Sequence, residues 1–417
     1  MRAATRFGGV AIAMLAMAAG GGGVASASGA HSFGGGGFAG VRGGSGGRQG
    51  GGQQGGGQQG GQGGGQQGGQ PGRRPVGVVF AQTDNPAGNQ VVAYDRAANG
   101  TLTQAGAYDT GGLGGVLAGS VVDHLASQGS LAYDRESGLL YAVNAGSNTI
   151  SVFSVLGDRL LLRQTIGSDG AFPVSIAVHG SLVYVLNALE GGSLQGYVSV
   201  FGHLFALPGS ARSLGLNPSE EPQFTHTPGQ VAFSPDGSQL IVTTKAAGSD
   251  IDVYRVGPFG QLSQAPTVDA QPGAVPFAVS FDPSGDLIVA DAGTDALSSF
   301  ALNASGTVTQ LDSVGTGQQA TCWVVADGAW LYASNAASAS LSGFQAGAGG
   351  LLAPLANTAT DGGTVDAAVS GDGRYLYVQT GASGIVDEFA IGAGGALSRV
   401  GAITVPGAIG GEGIAAS

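Results

Sequence analysis

Cysteine is almost missing from this chain: its 417 residues hold one, Cys322. A single thiol closes no internal disulfide, so a protein that works outside the reducing interior of a cell needs another way to hold itself together. Charge is also scarce, at 10% of residues against a usual share of ~25%. Lysine occurs once, as Lys245. No apolar run is long enough for a membrane helix, no heptad is sustained, and the Gly follows no Gly-X-Y period. A membrane-spanning bundle, a coiled coil and collagen are therefore excluded. His-Glu-x-x-His and paired-Cys patterns are missing as well, so no metal site and no cofactor are expected.

What the chain does have is Gly, 82 residues of it, beside an ordinary hydrophobic fraction of 42%. Low charge with normal hydrophobicity is the reverse of the disordered-chain signature, so most of the sequence is expected to fold. Residues 1–27 read as a secretory signal, with Arg2 and Arg6 before an apolar stretch from Val10 to Ala19 and a small-residue cleavage site at Ala25-Ser26-Ala27. Residues 28–74 are mostly Gly with Gln doublets such as Gln53-Gln54 and Gln66-Gln67. Such a segment cannot bury enough apolar surface to offset its ordering entropy, and a disordered tether is expected. The expected location is secreted or periplasmic. Charge changes sign along the chain: the first 83 residues carry six Arg and no acid, whereas residues 84–417 carry nine basic and 27 acidic side chains, a balance of −18. Nucleic acid and anionic membranes, which need clustered Lys and Arg, are unsuitable partners.

An internal repeat dominates residues 75–417. Apolar strands ending in an aromatic recur at Tyr94, Phe153, Tyr197, Tyr254, Phe300, Phe344 and Phe389, which makes seven copies. In five of them a Gly follows after six residues, at Gly100, Gly260, Gly306, Gly350 and Gly395, with Leu or Val two positions later. This is the pattern of a hairpin whose tight turn needs a positive φ. Before each aromatic strand from the second copy onward lies another alternating run, such as LLYAVN (Leu139–Asn144), LVYVLN (Leu182–Asn187) and YLYVQT (Tyr375–Thr380). Before that comes a third run, closed in several copies by an Asp/Gly turn. Four short strands per unit and seven units predict an all-β fold: a seven-bladed β-propeller with four-stranded antiparallel blades. Six copies open with a small-residue strand that the first copy lacks, and the chain ends on an orphan GIAAS (Gly413–Ser417). The C-terminal strand is thus expected to close the ring by completing the first blade, which hides two sheet edges and takes the place of a disulfide.

These residues resemble the lactonase-type seven-bladed propellers, which include 6-phosphogluconolactonase-like proteins and carboxymuconate-lactonising enzymes. The Tyr-Val-x-Asn-type strands ending at Asn144 and Asn187 carry the resemblance, together with the stretch Asn89–Arg96, Asn99-Gly100-Thr101-Leu102, Thr110-Gly111-Gly112 and Ser234-Pro235-Asp236-Gly237. The resemblance implies opening or isomerising a small lactone, with a His near the start of the second blade, a Pro-Arg-His element opening the fourth, and a Glu on the next strand. Here the second blade opens with Ser127-Gln128-Gly129-Ser130, the fourth with Thr227-Pro228-Gly229-Gln230, and Thr244-Lys245 stands near the position of the Glu. All three elements depart from the family pattern.

Lactone opening needs a base to activate water and a donor or cation for the developing oxyanion. Ligand sites in such propellers lie at the mouth of the central channel, where the loops into the inner strands converge. The candidates there are His226 or His124 as base, Lys245 as the cationic group and Glu221 as a carboxylate, with Asn144, Asn187, Asp291 and Trp323 as ligand-binding residues. Each has a structural reading beside it. The loop residues serve equally as solvated side chains, the Asn and Asp residues as turn caps, and Cys322-Trp323 as a small buried hydrophobe beside a packing indole. Two functions follow: an exported lactonase-like hydrolase or isomerase, or a non-catalytic propeller that binds a small molecule or a protein partner at the channel mouth, in either case as a monomer.

Overall fold

The alternating runs of the repeat become strands that differ in burial according to their depth in the molecule. The computed structural model of the protein describes residues 76–417; the leader expected at 1–27 and the tether expected at 28–74 lie outside the described residues. The second run of each copy, as in Leu139–Asn144 and Tyr375–Thr380, is buried on both faces. The fourth, as in Leu102–Asp109 and Arg159–Gly167, alternates toward solvent. Runs rich in Val, Leu and Tyr suit a sheet covered on both sides, whereas the alternating ones suit a rim.

Seven antiparallel sheets result. Blade 2 is Leu131–Asp134, Leu139–Asn144, Thr149–Leu156 and Arg159–Gly167, and blades 4 to 7 repeat the plan, with inner strands Val231–Phe233, Pro276–Phe281, Thr321–Asp327 and Thr364–Val369. Blade 3 departs from four strands. Its outer strand His203–Ala206 covers only one end of Ser193–Val200, and a short fifth strand, Arg212–Ser213, pairs with the other end. Arg212 holds that segment in place by donating to the Ser263 carbonyl at 2.8 Å, the Gly209 carbonyl at 2.9 Å and the Leu262 carbonyl.

All seven repeat aromatics lie on the third strands and are buried. The turn glycines are where one blade meets the next. Gly395 has φ +76°, and a Cβ built there would stand 2.8 Å from the Trp330 ring of blade 6. Tyr332 of blade 6 donates to the Gly395 carbonyl at 3.0 Å, and Tyr377 of blade 7 donates to the Gly100 carbonyl at 2.8 Å. Each bond joins neighbouring blades through a buried tyrosine.

The ring closes as the repeat requires. Ile414–Ala416 pairs antiparallel with Gly77–Gln82 in the register Val79↔Ala416, Phe80↔Ala415 and Ala81↔Ile414. Ser417 donates its N–H to the Val78 carbonyl at 2.8 Å, and Gln82 donates to the Gly413 carbonyl at 2.8 Å. Arg135 of blade 2 clamps the same strand by donating to the Ala416 carbonyl at 2.6 Å. Blade 1 therefore takes its inner strand from one end of the chain and its other three from residues 77–109.

Candidate functional site

The loops that lead into the inner strands gather with the second-to-third strand turns on one face, here called the upper face. The longest, residues 110–130, joins blade 1 to blade 2 and crosses the central channel. Gln128 donates its N–H to the Gly229 carbonyl of blade 4 at 3.1 Å. Its side-chain amide exchanges hydrogen bonds of 2.9 and 3.0 Å with the backbone of Val324 on blade 6. Ser127 donates to the Val174 carbonyl of blade 3 at 2.9 Å, and the Trp323 indole donates to the Ser127 carbonyl at 2.6 Å. His124 donates its N–H to the Gly410 carbonyl at 2.8 Å. A loop bonded to four blades is a plug. It satisfies its own polar backbone on the strands around it, as a buried loop must.

Four buried carboxyl groups gather at the plug: Asp123 within it, and Asp84, Asp366 and Glu412 beside it. Glu412 accepts from the N–H groups of Gly129 at 3.0 Å and Ser130 at 3.4 Å, and its own N–H donates to Asp84 at 2.7 Å. Asp123 accepts from Leu125 at 2.8 Å and Ser127 at 2.9 Å, which fixes the turn of the plug. Burial pushes Asp84 up to about 8, Asp366 to about 7 and Asp123 to about 6. Burial, with repulsion from Asp366, Asp123 and Asp84, lifts Glu412 well above the usual carboxylate range. The cluster thus holds protons to higher pH than free carboxyl groups do, and Glu412 ties the closing strand to blade 2.

Lys245 sits beside this cluster and is fully buried. Its ammonium donates to the Ala126 carbonyl at 2.6 Å, the Phe224 carbonyl at 2.7 Å and Thr227 Oγ1 at 2.9 Å, and lies 5.2 Å from the centre of the Phe277 ring. All three of its donors are used. Burial pulls its pKa down to about 7, opposed by the attraction of Asp123. Lys245, Asp123, Cys322 and Trp323 border one small cavity of about 40 Å³, walled by Phe224 and Phe277. This is room for about one water. The Trp323 ring packs 4.9 Å from Phe277. Burial raises the Cys322 thiol far from its reactive range.

His226 occupies a different place on the upper face. It follows the short 3-10 turn Gln223–Thr225, and it borders an open cleft of about 490 Å³ with Glu190, Gly191, Asn217, Glu220 and Gln223. Its Nδ1 lies 3.0 Å from the Pro222 carbonyl and 2.9 Å from Thr225 Oγ1. A carbonyl only accepts, so in the neutral imidazole the proton sits on Nδ1 and Nε2 keeps its lone pair. Nε2 stands 3.9 Å from Glu220 Oε2. Gln223 accepts the Ala118 N–H on its Oε1 at 2.9 Å, which leaves its NH₂ group as a donor beside the cleft. Thr227 borders the cleft and also bonds Lys245, so the two cavities share one wall.

The remaining candidates lie apart from this cleft. Glu221 is exposed and accepts the Gln223 N–H at 3.0 Å. His124 is half-buried against Gly410, and burial lowers its pKa. Asn144 gives its amide to Thr149 at 3.1 Å and Ser151 at 2.8 Å and accepts from Asn89 at 3.1 Å. Asn187 bonds the Ser168 carbonyl at 3.2 Å and Ser193 at 3.3 Å. Asp291 accepts from Ser298 at 2.5 Å, and burial raises it to about 7. All three are buried at the ends of second strands and join those strands to the turns or third strands of their own blades or to the loop beside them. Asn335 of blade 6 makes the same kind of bonds, to Thr321, Ser340 and Ser342.

The lactonase, seven-bladed β-propeller family model matches residues 210–409. Residues 210–409 thus match that family, within a chain folded as a seven-bladed β-propeller. A putative 6-phosphogluconolactonase from Bacteroides fragilis is 18% identical and superposes with a TM-score of 0.64 over 82% of this chain and 98% of its own. A protein from Lactobacillus plantarum is 21% identical, with a TM-score of 0.65 over 82% and 99%. The periplasmic gluconolactonase of Pseudomonas aeruginosa is 20% identical, with a TM-score of 0.63 over 81% and 98%. Identities this low carry the fold and not the substrate. No curated protein matches the chain in sequence. No helix among the described residues is long and apolar enough to cross a membrane.

Proposed function

We propose that this propeller hydrolyses small uncharged lactones outside the cytoplasm, with His226 as the general base. One observation carries the reading: His226 has Nδ1 committed to Pro222 and Thr225 and presents Nε2 beside an open cleft. In the proposed reaction Nε2 takes a proton from water as the oxygen bonds to the lactone carbonyl carbon. The Gln223 NH₂ donates to the oxyanion of the tetrahedral intermediate. Collapse breaks the ring C–O bond, and the proton on Nε2 passes to the departing alkoxide, giving a hydroxy acid.

The lining favours an uncharged substrate. Glu190 and Glu220 border the cleft and no Lys or Arg does among the described residues, so a phosphorylated or carboxylated lactone is repelled. The leader-like pattern of residues 1–27 and the low-complexity stretch after it support export. A second reading, a non-catalytic binding propeller, is favoured by the plug across the channel and by the saturated hydrogen bonding of Lys245. A pH-stat screen of the purified chain against neutral, carboxylated and phosphorylated lactones separates the two. The hydrolase reading expects turnover of neutral lactones above the spontaneous rate, and no turnover of any lactone supports the binding reading.

A further inference from the structure

We infer that Lys245 is the positioning residue for His226. The inference rests on the hydrolase reading for its catalytic consequence and on geometry alone for the placement. His226 stands in a loop, between Phe224 and Thr227, with no strand of its own to hold it. The Lys245 ammonium bonds that loop on both sides of the imidazole, at the Phe224 carbonyl, 2.7 Å, and at Thr227 Oγ1, 2.9 Å. Its third bond, 2.6 Å, reaches the Ala126 carbonyl of the plug. One buried side chain thus fastens the loop that carries the base to the segment that closes the channel. The burial of Lys245 has a consequence for the base as well as for the fold, because reacting groups must be held to within a fraction of an ångström.

The Thr227 hydroxyl is the narrowest link. Thr227 borders the His226 cleft, and its hydroxyl accepts from Lys245. The charged groups around the imidazole are Glu220 at 3.9 Å on its own loop, Glu190 across the cleft on blade 3, and Lys245 behind the loop, itself attracted to Asp123. Loss of the ammonium removes the one cation from this set.

The test uses Lys245→Met, Thr227→Val and Thr227→Ser in the full chain. Two readouts are taken: steady-state hydrolysis of glucono-δ-lactone, and the positions and line widths of the His226 imidazole signals in NMR spectra at one pH, assigned with His226→Gln. Lys245→Met is expected to lower kcat and kcat/KM together by about 100-fold with KM unchanged. It is also expected to shift and broaden the His226 imidazole signals, because the loop loses its anchor. Thr227→Val should do the same to a smaller extent, and Thr227→Ser should restore both readouts. If Lys245→Met does not fold, the Thr227 pair decides. Unchanged kcat and unchanged His226 imidazole signals in a folded Lys245→Met or Thr227→Val protein would overturn the inference. If the parent chain hydrolyses no lactone, the hydrolase reading fails, and the NMR signals still decide whether Lys245 places His226.

Discussion

Deleting residues 412–417 should cost this protein most of its stability, because those residues are structural to a blade at the opposite end of the chain. Ile414, Ala415 and Ala416 are each at least 92% buried. Their side chains contribute about 3–4 kcal/mol at the usual worth of a buried Ile and two methyl groups. The deletion also breaks the backbone bonds Gln82→Gly413 and Ser417→Val78 and the ladder at Phe80↔Ala415, worth about 1 kcal/mol apiece. The sum, about 6–8 kcal/mol, is comparable with the whole stability of a typical domain. Val79, Phe80 and Ala81, now fully buried, would become an open sheet edge, so aggregation should accompany unfolding. The assay is thermal unfolding by circular dichroism of the full and shortened chains. A drop in Tm of more than about 10 °C is expected from the stability lost, with partial recovery when a peptide of residues 410–417 is supplied in trans. A shortened chain that melts within about 2 °C of the parent would refute the closure energetics.

Further outcomes are expected from the carboxyl cluster and the blade contacts. The folded-state pKa of Asp84 is about 8 against an ordinary 3.8, and those of Asp366 and Glu412 are raised as well. Between those limits the folded state binds more protons than the unfolded one, so stability should fall as pH rises from about 4 to 8. Lys245, lowered from 10.5 to about 7, acts in the opposite sense and should restore part of the stability above pH 7. Glu412→Gln should flatten the falling limb in Tm against pH, and an unchanged profile would contradict the cluster's role. Gly395→Ala should destabilise by about 1–3 kcal/mol in urea unfolding, from the left-handed backbone and the encroachment on Trp330. Tyr332→Phe, which leaves the Gly395 carbonyl without its partner, should cost about 1–2 kcal/mol; a cost near zero in both would argue against the inter-blade contacts described.

The blades were legible in the sequence because their signal is periodic. The runs Leu139–Asn144, Leu182–Asn187 and Tyr375–Thr380 coincide with strands, and the five turn glycines all have positive φ. The closing strand was legible because one inner strand was missing at the start and one was left over at the end. The plug was not legible, since its bonds to Gly229, Val324 and Gly410 leave no local pattern. For the same reason sequence offered Lys245 as a cation at the channel mouth, whereas its three acceptors arrive from residues 126, 224 and 227 and enclose it. Asp84, Asp366 and Glu412 come from three distant segments, and only the isolated Glu412 among glycines, just before the closing strand, offered any cue. His226 was named from its loop alone. Its companions Glu220, Gln223 and Thr227 needed the fold of that loop to be recognised.

The most direct test of the account is kcat/KM for a neutral lactone in the parent chain and in His226→Gln, measured at matched Tm. Loss of a general base predicts a fall of about 10²–10⁴-fold with the fold intact. Equal kcat/KM in the two proteins, or no turnover above the spontaneous rate in the parent, would contradict it.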